Sequence, residues 1–123
     1  MSLEPGIEAP SGSYYGAVGA PTVGQTIVTS PALTPGVYTV EYATDVQGTS
    51  AAADVNNIQL QVGSTVISPL QMPNAVGTHY NGVPLNVYVP PGAPGGETIS
   101  ITAIGAGTST ATYEISLVVT RAE

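Results

Sequence analysis

The chain has 123 residues, a net charge of −7 and a single Lys or Arg, which is Arg121. Cys, Lys, Phe and Trp are absent, which excludes disulfides, Cys-ligated zinc, iron–sulfur clusters, thiol nucleophiles, lysine Schiff bases and the P-loop lysine. One arginine against eight carboxylates repels polyanions, so nucleic acid and anionic membrane surfaces are excluded as expected partners.

The length suits one domain. A hydrophobic fraction of 42% is enough for a core at this size. No stretch approaches the ~20 apolar residues of a membrane helix. Met1 to Pro10 carries Glu4 and Glu8, no positive charge and no apolar run, unlike a secretory signal. A product of the cytoplasm is therefore expected.

Residues 1–24 read as an extended Gly/Pro-rich arm. Pro5, Gly6, Pro10, Gly12, Gly16, Gly19, Pro21 and Gly24 break any period of 2 or 3.6. Tyr14 and Tyr15 are the aromatic side chains of this stretch. They are its candidate partner-binding anchors, since tyrosine is enriched at interface hot spots. Adjacent residues of an extended segment point to opposite sides, so one tyrosine is expected to enter a partner and the other the parent domain. A flexible tail is the plainer reading of the same composition.

Residues 25–123 read as the folded domain. Gln25 to Ser30 is a short strand around Ile27 and Val28. Val37 to Thr44 alternates, with Tyr38, Val40 and Tyr42 on one face and Thr39 and Glu41 on the other, as a half-buried strand does. Asp45 to Asn56 is a polar loop. Asn57 to Val62 turns Ile58, Leu60 and Val62 inward, and Gly63-Ser64 suits a type II′ hairpin returning through Thr65 to Ser68. Pro69 to Pro84 is a long connection. Leu85 to Val89, Thr98 to Ile104 and Ala111 to Thr120 complete the alternating segments.

Short strands between turn clusters predict an all-β fold, an antiparallel two-sheet β-sandwich of jelly-roll or Ig-like type. Tyr38, Val40, Leu60, Val87, Ile101, Ile115 and Leu117 are its expected core. The outward faces carry Thr, Gln, Ser and Asn with few charges. Such faces suit packing against another protein, and drift in an Ala/Gly/Thr/Val-rich genome gives the same composition.

Catalytic and metal candidates are few. His79 is the sole histidine and no serine stands in a nucleophile elbow, so a surface histidine is expected rather than a catalytic one. Asp45, Asp54, Asn56 and Asn57 offer oxygen ligands for calcium without EF-hand spacing, and Asx turns explain them better. Glu41 and Glu114 are mid-strand and outward, a position open to a glycosidase pair but ordinary for exposed glutamates. Tyr80 and Tyr88, near the long connection, form the candidate glycan-stacking pair.

The run Pro35-Gly36-Val37-Tyr38-Thr39-Val40-Glu41-Tyr42, the segment Ala53 to Gly63 and the ending Gly107 to Ile115 resemble small β-sandwich virion proteins of tailed bacteriophages, of the head-decoration and accessory-capsid type. The Pro-Gly-x-Tyr-x-Val run is also similar to jelly-roll carbohydrate-binding modules. The first resemblance implies a non-enzymatic protein without catalytic, metal or cofactor residues. It would act as a homo-oligomer on the exterior of the virion capsid, against the major capsid protein or another virion protein. The second implies a carbohydrate-binding module of phage or bacterial surface adhesion.

Overall fold

The computed structural model describes residues 12–19, 22, 24–47, 57–70, 77, 79–91, 96–104 and 112–122. Nine strands are described: β1 (Gly12–Gly19), β2 (Thr26–Thr29), β3 (Gly36–Gln47), β4 (Asn57–Val62), β5 (Thr65–Leu70), β6 (His79–Asn81), β7 (Leu85–Val89), β8 (Ile99–Ile104) and β9 (Thr112–Arg121).

They form two antiparallel sheets packed face to face. One runs β2-β8-β4-β5. In the other, β9 lies between β1 and β3, and the far edge of β3 carries β7 along its first half and β6 along its second. The expected β-sandwich is therefore the observed architecture.

The core follows from period 2. On β3, Tyr38, Val40, Tyr42, Thr44 and Val46 point inward. On β9, Tyr113, Ile115, Leu117 and Val119 do the same and are fully buried. Ile58, Leu60, Ile99, Ile101 and Ala103 close the layer from the opposite sheet. All seven residues expected in the core are buried. On β8 the alternation disappears, because Ser100 and Thr102 are buried as well. β8 is flanked by β2 and β4, and Thr102 donates a hydrogen bond to Gln61 Oε1 at 2.8 Å across the outer face.

With no Phe or Trp, tyrosines fill the largest core volumes and must seat their hydroxyls. Tyr38 donates to the Thr34 carbonyl at 2.6 Å. Arg121, opposite Tyr38 in register, donates to Thr34 Oγ1 at 2.8 Å and holds its guanidinium 5.7 Å from the Tyr38 ring centre. The arginine thus closes one end of the sandwich.

Within the arm expected over residues 1–24, residues 12–19 differ from that expectation. Gly12–Gly19 is an edge strand, paired with β9 over eight residues from Gly12↔Val119 to Gly19↔Thr112. Tyr14 and Val18 pack against the core while Tyr15 faces out. The inward positions read Gly-Tyr-Gly-Val, so glycine hides the alternation. Gly16 is required for packing: a Cβ there would overlap the Ile27 carbonyl of β2. Residues 1–11 lie outside the described residues.

The segment expected as one long connection also differs. β5 runs on to Leu70, and His79–Asn81 forms a short strand on the edge of β3. β3 itself continues to Gln47, which places Asp45 on a strand rather than in a loop.

Candidate functional site

The outer face of the five-stranded sheet collects the chemistry-bearing side chains. Register places Ala17, Glu114, Asp45 and His79 in one cross-strand row. Tyr15, Ser116, Ala43 and Asn81 make the next row, and Val118 and Glu41 the one after. Further along the same face lie Thr39, Thr120 and Asn86, then Val37 and Tyr88.

His79 is the centre of the first row. Its Nδ1 lies 2.8 Å from Asp45 Oδ1 and its Nε2 lies 3.0 Å from Asn81 Oδ1. Both partners are acceptors, so both ring nitrogens donate and the arrangement fits the imidazolium. The hydrogen bond to Asp45 raises the His79 pKa above the usual histidine value; the bond to Asn81 and the Asp45 charge add to this, against a smaller lowering by desolvation. Asp45 orients the imidazole as a catalytic aspartate would, but the second nitrogen meets an amide oxygen in place of a hydroxyl.

Tyr15 sits at the other side of the face and is 63% exposed. Its pKa is raised by desolvation first, then by the neighbouring Glu114 carboxylate and by Asp45. Asp45 has its partner in His79. Glu41 has no hydrogen bond or ion pair among the described residues.

Between these groups lies an open trough of about 290 Å³, lined by Glu41, Ala43, Asn81, Gly82, Ser116 and Val118. Ala43 and Ser116 make a low floor because their side chains are small. Gly82 leaves one wall bare: its N–H donates to the Tyr42 carbonyl at 2.8 Å, and a Cβ there would collide with the Tyr42 ring. A second crevice, of about 150 Å³, opens between the sheets beside Tyr42, Tyr80 and Leu70.

The other sequence-level candidates fall as follows. Tyr14 is turned into its own sandwich and Tyr15 out of it, the opposed pair expected of adjacent residues. Tyr80 and Tyr88 are not brought together. Tyr80 faces the interior, 6.3 Å from the Tyr42 ring centre, whereas Tyr88 is on the outer face and 58% exposed. Glu41 and Glu114 are not register neighbours either: Glu114 is four residues along β9 from Val118, the partner of Glu41, about 13 Å of backbone at 3.3 Å per residue.

Of the calcium candidates, Asp45 is committed to His79, and Asp54 and Asn56 lie outside the described residues. Asn57 begins β4. Among the described residues no cluster of three or more His, Cys, Asp or Glu side chains is arranged to hold a metal. The His79–Asp45–Asn81 contact was not anticipated from sequence. Its signal was the polar-apolar-polar triplet His79-Tyr80-Asn81, a strand alternation inside the long connection.

The fold and this face define an antiparallel β-sandwich with one polar sheet surface that carries Glu41, Asp45, Glu114 and His79. No protein-family model matches the chain, and no curated protein matches it.

Proposed function

We propose that the chain is a non-enzymatic structural protein of a tailed-bacteriophage virion, one that binds the assembled capsid from outside and decorates or stabilises it. The major capsid protein or another virion protein is the partner, and the protein acts as a homo-oligomer. It is made in the host cytoplasm and resides on the capsid exterior. The observation that carries this reading is Tyr15, a large side chain 63% exposed on an edge strand whose neighbour Tyr14 is partly buried against the core. An aromatic ring fixed on a rigid strand loses little freedom on binding, which suits an interface anchor.

The occupied imidazole supports a non-enzymatic role, since both His79 nitrogens are engaged by Asp45 and Asn81. The test is co-sedimentation with purified capsids. Wild-type protein is expected to pellet with them, and Tyr15→Ala to bind at least about tenfold more weakly at unchanged thermal stability. Equal binding by Tyr15→Ala would overturn Tyr15 as the anchor, and wild-type protein left in the supernatant would overturn the reading.

A carbohydrate-binding module of phage or bacterial surface adhesion is the second reading. It is favoured by the polar trough and by Tyr88, which is exposed on the same face as that trough. Tyr80 does not contribute to that surface.

A further inference from the structure

We propose that the trough over Ala43 and Ser116 binds a neutral oligosaccharide, with the Asn81 carboxamide as a ligand-binding donor whose orientation is set by the proton on His79. This rests on the carbohydrate reading, to which it adds the site, the class of sugar and a control on binding.

The ligand class follows from charge and from what remains unbonded. Glu41, Asp45 and Glu114 make the face negative, which disfavours sulfated, phosphorylated or sialylated chains. Asp45 is already engaged by His79, and Glu114 has the Tyr15 side chain as its neighbour. With an imidazole in its midst the face is not a bare acidic cluster awaiting a cation. The Glu41 carboxylate, without a hydrogen bond or ion pair among the described residues, stands beside the Ser116 hydroxyl and the Asn81 amide. A carboxylate accepts, an amide N–H donates and a hydroxyl does both. Vicinal hydroxyls of a pyranose match that set, and the Val118 side chain beside it offers apolar contact for the sugar's C–H face. A trough of about 290 Å³ lies at the small end of ligand-site volumes, and its open form suits a chain that continues past it. Along β3 and β7 the face leads from the trough to Asn86 and Tyr88, where a second sugar unit can stack.

The His79 link follows from hydrogen-bond directions. With Nδ1–H given to Asp45 and Nε2–H given to Asn81 Oδ1, the amide oxygen is occupied and the Asn81 NH2 is left to donate to a ligand oxygen. When His79 loses a proton, Asp45 retains Nδ1–H and Nε2 becomes an acceptor. The Asn81 amide then turns its NH2 toward the ring, and the donor is withdrawn from the trough. The groups facing His79 among the described residues are Asp45 on β3, Asn81 on its own strand, Glu114 on β9 in the same row, and Tyr15 on β1 through Glu114. Binding is therefore expected to be tighter at acidic than at alkaline pH.

The experiment titrates the 15N-labelled full chain with cellotriose, maltotriose, mannotriose and chitotriose. At least one is expected to give saturable shifts at the amides of Ala43, Asn81, Gly82 and Ser116. Glu41→Ala, an exposed change, is expected to weaken binding about tenfold or more, the loss of one charge-assisted hydrogen bond. Ser116→Phe fills the floor and is expected to abolish binding. Affinity is expected to fall several-fold between about pH 5.5 and about pH 8.5, spanning the histidine range, and His79→Gln is expected to remove that dependence. Saturable shifts confined to the Tyr42–Tyr80 crevice, or unchanged affinity in Glu41→Ala, would overturn the site while leaving the carbohydrate reading. No saturable shift with any of the four sugars, preferential binding of an arginine-rich peptide, or shifts that track protein concentration alone would overturn both. Equal affinity at the two pH values would overturn the control by His79.

Discussion

Thr44 offers a direct measure of how the core treats a polar atom. It is fully buried on β3, between Tyr42 and Val46 along the strand, and pairs with Ile115 on β9 and Tyr80 on β6. Its Oγ1 has no hydrogen-bond partner among the described residues. A hydroxyl stripped of water without compensation costs roughly 1–3 kcal/mol. Thr44→Val keeps the branched shape and strand preference and replaces the hydroxyl by a methyl of similar size. We therefore expect a gain of about 1 kcal/mol, toward the low end because native cores relax around such groups. For a chain of this length that corresponds to a rise in Tm of about 3–6 °C. Thr44→Ser is the control: it keeps the hydroxyl, removes the buried methyl and is expected to lose about 1 kcal/mol. Urea unfolding monitored by circular dichroism measures both. A loss of stability in Thr44→Val larger than about 0.5 kcal/mol would refute the reasoning, because it would mean that the hydroxyl is satisfied in solution.

Three further outcomes are expected. Gly16→Val, which forces a side chain into the Ile27 carbonyl, is expected to cost about 1–3 kcal/mol and to speed amide exchange in β1 and β2. Unchanged exchange there would show that β1 does not lie against β2. Tyr38→Phe removes the 2.6 Å hydrogen bond to the Thr34 carbonyl and is expected to cost about 1–1.5 kcal/mol in urea unfolding. The His79 contribution has a defined sign, because its pKa is raised in the folded state by Asp45 and Asn81. The stability it adds is present in full below the unfolded value of about 6.5 and is lost as pH rises through the higher folded value. Stability measured across that window is expected to fall with pH in the wild type and to flatten in His79→Gln, and a wild-type rise would contradict the assigned hydrogen bonds.

The sandwich was legible because β3, β4, β7 and β9 obey period 2 without exception. Tyr38, Val40 and Tyr42 or Ile115, Leu117 and Val119 can face only one way once Thr39, Glu41, Ser116 and Thr120 face the other. β1 was illegible for the opposite reason: half of its inward positions are glycine, and Gly16 serves backbone approach rather than side-chain burial. The His79 cluster was illegible because its partner is set by register. Asp45 and His79 are 34 residues apart in sequence and become neighbours only through the Asp45↔His79 pairing of β3 and β6. Period 2 through Leu85, Val87 and Val89 puts Tyr88 outward, and the same rule applied to His79-Tyr80-Asn81 puts Tyr80 inward. The trough needed the whole sheet, since its floor joins Ala43 on β3 to Ser116 on β9 and its wall is the bare backbone of Gly82.

The most direct test of the proposed capsid role is electron cryomicroscopy of purified virions from cells in which the chain is expressed, combined with mass spectrometry of the same particles. The chain is expected in regular copies on the outer capsid surface, with the Tyr15 edge of β1 turned toward the lattice or a neighbouring copy. Particles that lack the chain would contradict it.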